Sequence, residues 1–500
     1  MKKFSFVLAA AAMMLAACQP EEEKIPVVDV TMSSFGFYAE TNPEALKADF
    51  VVAEPSSQIS IVLPYGTPED ALKSLVPSFE VTEGATVKVE ETEVESGVTA
   101  LDFSVPVELL VTVNAKSNAQ YTVTVSVAGP ASWSKKTVSE ATFKSEPALA
   151  LSPVSDDLYA FGYLQTREYF PLMLKYSEGS IVPAADTLAK VGASYIAANC
   201  SSDGTPYAVF YNKTDKNMKV FCIASGVPVE VGDASELLAN TGNSVGSNAI
   251  VPISSNDVWV FLMNNKANTT IGTVKRGLNV CHFNGSTWSQ NVEMPGWNAK
   301  DATYIMQTKW VAGVPYIFIL DFTTAKFFVY KYEKSNWVAV CDGIQPLRDD
   351  NSTPISSAEY KYGAMNFDVD SNGDVYILAA ANYESASEDN IIGMLKYDIE
   401  EKTCSLVGGL IRNVTASKCR YLSMALDNND VPYVVYGNTF IDGGSASVTY
   451  IDAKTKTWAE PVALTADKAS GIDIRFSESG LGYIVFNNDS TGSFEVWTNK

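Results

Sequence analysis

Seven times between residues 155 and 485 a short polar turn runs into an apolar, strand-like segment with an aromatic residue near its centre. The segments read SDDLYAFGY (155–163), SSDGTPYAVF (201–210), SSNDVWVFL (254–262), VAGVPYIFI (311–319), DSNGDVYIL (370–378), DNNDVPYVV (427–435) and SESGLGYIV (477–485). Their central aromatics, Tyr159, Tyr207, Trp259, Tyr316, Tyr376, Tyr433 and Tyr483, lie 48, 52, 57, 60, 57 and 50 residues apart. A β pattern with a period near fifty constrains the fold more than any other feature of the chain. A unit of that length cannot bury its own sheet, so the units must stack. Four short strands per unit give the blades of a β-propeller.

A second repeat sets the blade number. Several units end in a Trp-bearing segment: STWSQNVEM with Trp288, SNWVAVCDG with Trp337 and KTWAEPVAL with Trp458. The seventh unit stops at FEVWTNK with no such strand, and the missing piece stands at the start of the array as ASWSKKTVSE, with Trp133. An N-terminal outer strand that completes the last blade leaves no open sheet edge. The expectation is therefore a seven-bladed propeller over 130–500, with the repeated aromatic on the second strand of each blade.

That strand order puts the loops 164–171, 264–276, 294–301, 343–358, 382–390 and 437–446 on one face. Loops held by a rigid scaffold are the default place for binding. Trp297, in PGWN, and Tyr169, Phe170, Tyr383 and Phe440 stand there outside any alternating pattern, near Arg348 and Asp349. Aromatics beside polar groups suit sugars, whose apolar ring faces stack while their hydroxyls need partners. The structural alternative is that these rings fasten the loops to the blades.

The N-terminus carries an address. Lys2 and Lys3 precede an apolar run from Phe4 to Leu15, and Leu15-Ala16-Ala17-Cys18 closes it. This ending resembles the lipobox of bacterial lipoproteins, and the acidic run after Gln19-Pro20 resembles the surface-export signal of Bacteroidetes lipoproteins. The resemblance implies removal of residues 1–17, acylation of Cys18 (palmitate among the chains), and display on the outer membrane facing the exterior. Several acyl chains anchor firmly, because each buried methylene contributes about 0.8 kcal/mol. Residues 18–47 read as a tether. From residue 48 to 128 short alternating strands suit a small β-sandwich. The order ISIVLPYGT (59–67), LVPSF (75–79), GATV (84–87), FSVPV (103–107) and YTVTV (121–125) resembles an Ig-like domain found near the N-termini of such lipoproteins. That resemblance implies a spacer without catalytic residues.

The formal charge is −22, and no basic stripe reverses it, so nucleic acid is excluded as a partner. Beyond the leader no run of 18 apolar residues remains to span a membrane. Cys200, Cys222, Cys281, Cys341, Cys404 and Cys419 show no metal-ligand spacing. Cys200 and Cys222 are the one pair whose spacing would let them face each other across neighbouring strands.

Asp368-Val-Asp370-Ser-Asn372-Gly-Asp374 begins like a calcium loop, but its twelfth position is Ala379, so a turn is the expected reading and calcium the alternative. His282, the single histidine, sits in a strand-like VCHF and reads as a packed residue. Asp349-Asp350 and Glu388-Asp389 are adjacent carboxylates that point to opposite faces of an extended chain and make poor acid–base couples. The six arginines, Arg167, Arg276, Arg348, Arg412, Arg420 and Arg475, are scattered.

The reading is an all-β lipoprotein: an anchor, a tether, an Ig-like sandwich, and a seven-bladed propeller closed by an N-terminal outer strand. Its propeller is expected to recognise a glycan or glycoprotein without a cofactor and without catalysis, beside an outer-membrane transporter. The alternatives are a carbohydrate-active hydrolase or lyase, and a structural scaffold in an outer-membrane complex.

Overall fold

The computed structural model describes residues 26–499 apart from 140–142, 144–145, 164–170, 178, 186–187, 189–192, 238–244, 265–275, 298–302, 322, 349–353, 357–364, 382–390, 412–420 and 439–443. The chain is almost entirely β and divides into two compact units that meet at Gly129–Pro130. Among the described residues no helix is long and apolar enough to cross a membrane.

Among its described residues the first unit holds eight strands: β1 (Met32–Phe37), β2 (Phe50–Ala53), β3 (Gln58–Leu63), β4 (Ser78–Val81), β5 (Thr86–Val89), β6 (Thr92–Glu93), β7 (Val107–Asn114) and β8 (Ser117–Val127). They form two sheets, ordered β2-β1-β4 and β3-β8-β7-β5-β6, with β3 and β8 parallel. Alternation dictates the second sheet. Ile59, Ile61 and Leu63 point inward with Leu109, Val111, Val123 and Val125. Phe35, Phe37 and Phe103 close the core from the other side in edge-to-face contacts, with centroids 5.0–6.4 Å apart.

The tether expected over 18–47 is corrected here. Met32–Phe37 is the central strand of the smaller sheet, and Val30, Met32, Phe35, Phe37 and Leu46 are all buried. A bulge between Met32 and Ser34 hides this strand in the sequence, because it puts Val30 and Met32 out of phase with Phe35 and Phe37, which flank Gly36. The missing side chain of Gly36 admits the neighbouring backbone, since a Cβ there would lie 2.3 Å from the Phe50 carbonyl oxygen.

The second unit contains seven four-stranded antiparallel sheets among the described residues, spanning 148–185, 193–230, 245–289, 303–344, 365–411, 422–463 and 469–498. We number them 1 to 7. The fourth strand of sheet 7 is β9 (Ser134–Ser139), which pairs with Ser493–Thr498 from Phe494↔Ser139 to Thr498↔Ser134. In every sheet the repeated aromatic lies on the second strand. Those strands are buried along their length and largely apolar, as in PYAVFYN and VYILAAA, because a neighbouring sheet covers each face. Fourth strands such as NWVAVCDGI alternate between buried and exposed positions, as outer strands do.

Each sheet packs on the next, and sheet 7 packs on sheet 1. Phe143, Leu158, Leu174, Tyr483, Val485 and Phe494 share one core at that last seam. The turns between first and second strands also join in sequence. Ser371 bonds Asp430, Asn428 bonds the Glu478 carbonyl, and Ser477 and Ser479 both donate to Asp156 at 2.6 and 2.7 Å. The result is a β-propeller-like all-β body whose individual sheets remain open. The tryptophans lean back on the preceding sheet: Trp288 Nε1 donates to the Val231 carbonyl, Trp458 Nε1 to that of Gly409, and Trp133 packs on Tyr433.

Cys200 and Cys222 are not on neighbouring strands. The strand Pro206–Asn212 separates them, with Pro206 opposite Cys200 and Tyr207 opposite Cys222, and both thiols are free.

Candidate functional site

The first strands of the seven sheets are Ala148–Leu151, Ala193–Cys200, Val245–Ser254, Thr303–Val311, Met365–Val369, Leu422–Leu426 and Ala469–Phe476. They are the innermost, because they reach one another across non-adjacent sheets. Lys309 of sheet 4 donates to the Met424 carbonyl of sheet 6 at 2.9 Å. Trp310 Nε1 donates to the Cys200 carbonyl of sheet 2 at 2.7 Å. Such bonds require the strands to converge on a narrow axis, which Lys309 and Trp310 cross near the end carrying the hairpin turns.

A polar network lines this axis. Lys309 Nζ binds Asp368 Oδ2 at 2.8 Å, and the two side chains are 8% and 10% exposed. The same carboxyl oxygen accepts the Leu426 N–H of sheet 6 at 3.0 Å. Asn366 donates to Ser423, and Ser423 donates to Asp473 in a short bond. Asp473 in turn receives Arg475 through Nη2 at 2.9 Å and Nε at 3.3 Å. Burial pulls the Lys309 ammonium below the ordinary lysine range; Asp368 opposes this and Arg475 adds to it.

At the opposite end, where the inner strands begin, stand Glu146, Tyr195, Asn248 and Gly471. Glu146 is exposed along part of its surface, and its Cα lies close against Gly471. Desolvation first, then Asp473, raises its pKa to about 7, with Arg475 opposing. An acid whose folded-state pKa lies above its unfolded value has its full stability below the unfolded pKa and loses it as pH rises through the folded one. Glu146→Gln is therefore expected to gain stability relative to the parent as pH rises from about 4.5 to 7, with no further change above. Urea unfolding of both proteins across that range checks this, and a pH-independent difference would contradict it.

Among the residues singled out from sequence, Cys18, Tyr169, Phe170, Tyr383, Phe440 and Asp349 lie outside the described residues, as does most of the loop face. Arg348 is half-buried. Trp297 is also half-buried and sits edge-on to Phe328 at 5.2 Å, within the core between sheets 3 and 4. It fastens its loop to the scaffold. The calcium-type run is divided: Asp368 faces Lys309, whereas Asp370 and Asp374 pair with Lys396 at 3.3 and 2.8 Å. Asp370 also caps the turn by accepting the N–H groups of Asn372 and Asp374. Among the described residues no three acidic, histidine or cysteine side chains gather as a metal site. His282 stacks on Trp259 at 4.1 Å and bonds Asp257 at 2.9 Å, so it is a packed strand residue.

The axial residues escaped the sequence reading, although a signal exists. Asn199, Lys309, Asp368 and Arg475 lie directly opposite Tyr207, Tyr316, Tyr376 and Tyr483, seven or eight residues before each aromatic.

Residues 42–125 match the family model described as SGBP, N-terminal, the N-terminal module of surface glycan-binding proteins. No curated protein sequence matches the chain. Solved structures similar to it include a fungal alcohol oxidase of the AA5 family in complex with copper, at 11% identity and TM-score 0.43, covering 74% of this chain and 76% of that one. An α-L-arabinofuranosidase from Fusarium graminearum shows 8% identity and TM-score 0.38, with 74% and 98% covered. The fucose-specific lectin of Aleuria aurantia shows 12% identity and TM-score 0.38, with 65% and 96% covered. Likenesses at this level say nothing of what this chain binds.

Proposed function

We propose that this chain is a surface lipoprotein that recognises glycans without turning them over. The match of residues 42–125 to the N-terminal module of surface glycan-binding proteins carries this reading. In it, Cys18 is acylated in the outer membrane, the first unit is an Ig-like spacer, and the seven sheets of the second unit are the blades of a closed propeller. The propeller is the recognition head, and an outer-membrane transporter is the partner that receives the captured glycan. The paired state of the axial ions supports binding over catalysis. Arg475 is held by Asp473 and Lys309 by Asp368, which makes them a rigid scaffold for neighbouring contacts.

The test is binding of the full chain, purified in detergent, to a panel of oligosaccharides and polysaccharides by glycan array and calorimetry. The expected result is saturable binding to at least one glycan. Silence across the panel, with membrane proteins co-purifying, would replace this reading with the scaffold alternative.

A further inference from the structure

We infer that the beginnings of the inner strands of sheets 7, 1, 2 and 3 form a subsite for a neutral sugar ring, with Tyr195 as its stacking face and Asn248 as a hydrogen-bonding partner; this rests on the glycan-binding reading above. Tyr195 is the third residue of its inner strand, yet the residue is 42% exposed. It occupies a β-bulge, where the register shifts between Ser194 and Ala197, and its φ is +54°. Sheet 7 repeats the bulge at the corresponding place: the register shifts between Ser470 and Asp473, and Gly471 has φ +58°. Glycine adopts this conformation freely, whereas a tyrosine there is strained. The packing of sheet 2 does not need that ring, which belongs to no buried cluster among the described residues. Bulges re-aim side chains and are over-represented beside binding and active sites.

Asn248 of sheet 3 holds the Tyr195 backbone in place: its Nδ2 donates to the Tyr195 carbonyl at 2.7 Å. Asn248 is 9% exposed, and its side-chain Oδ1 has no partner among the described residues. A buried amide oxygen without a donor is costly, and a ligand hydroxyl would satisfy it. An aromatic face beside an open acceptor matches a sugar, with its apolar ring face and peripheral hydroxyls. Charge narrows the class. Glu146 and Asp473 border the same end, while the network's two cations, Arg475 and Lys309, are already bound to carboxylates. Asp473 is likewise neutralised by Arg475, so neither cation of the network is left free to hold an anionic sugar, and a neutral one needs none.

The test uses the full chain in detergent and calorimetry with neutral gluco-, galacto-, manno-, xylo- and arabino-oligosaccharides beside uronic, sialylated and sulfated ones. The parent is expected to bind a neutral member. Tyr195→Gly is expected to unfold at the same or a higher temperature, since glycine takes the local φ without strain, and to bind that member about tenfold more weakly. Tyr195→Phe, which keeps the ring, should bind like the parent. Unchanged binding by Tyr195→Gly overturns the subsite and leaves the glycan-binding reading standing. A parent that binds no glycan overturns both, and tightest binding to an anionic glycan overturns the neutral-sugar assignment.

Discussion

Lys309→Met is expected to destabilise the second unit by about 3–5 kcal/mol, because it strands a buried carboxylate without its cation. Asp368 would keep the N–H groups of Val369 and Leu426 but lose the ammonium that neutralises it. The same change removes the bond to the Met424 carbonyl, so strands in three sheets lose a common tie. The pair itself need not be strongly stabilising, since desolvating two ions offsets much of their attraction. The double variant Lys309→Met/Asp368→Leu is therefore expected to recover most of the loss. Urea unfolding followed by tryptophan fluorescence measures both. A single-variant cost below about 1 kcal/mol would mean that the pair behaves as a surface ion pair.

Phe143→Ala is expected to cost about 3–5 kcal/mol as well, through lost burial and the cavity left behind. Phe143 is buried at the seam between sheets 7 and 1, edge-on to Phe494 at 5.1 Å. Its backbone is clamped by Asn487, which accepts from the Phe143 N–H at 3.1 Å and donates to its carbonyl at 3.3 Å. Gly162 faces the ring so closely that a Cβ would lie 2.6 Å from Phe143 Cδ1, so the site is shaped for this side chain. Thermal and urea unfolding check the prediction. A loss of less than about 1 kcal/mol would imply that the seam is loose and that sheet 7 is held by its other contacts.

The parts legible in sequence share one physical cause. A second strand covered on both faces must be apolar along its length, so Tyr207, Tyr316 and their counterparts stand out with a regular period. The outer strand supplied from the start of the array was legible because Trp133 reproduces the signature of Trp288 and Trp337. Central strand β1 was not, because a bulge between Met32 and Ser34 shifts its alternation and polar residues surround it. The separation of Cys200 from Cys222 depends on an intervening strand, which spacing alone does not report.

The axial residues were obscured for a different reason. Glu146, Asn248, Lys309, Asp368 and Asp473 are dispersed over more than three hundred positions, and each looks like a solvated strand residue. Only the cyclic order of the sheets makes them neighbours. Tyr195 was concealed by its strand, because nothing in SYIAANC marks a bulge, whereas glycine does so at the matching place in sheet 7.

Recognition without turnover is tested most directly by recovering the glycan. The full chain is incubated with the polysaccharide it binds best, and the polysaccharide is then analysed for chain length and new reducing or unsaturated ends. The account predicts saturable binding and a polysaccharide recovered intact. Shortened chains or new ends, produced by the parent chain, would contradict it and make the second unit an enzyme.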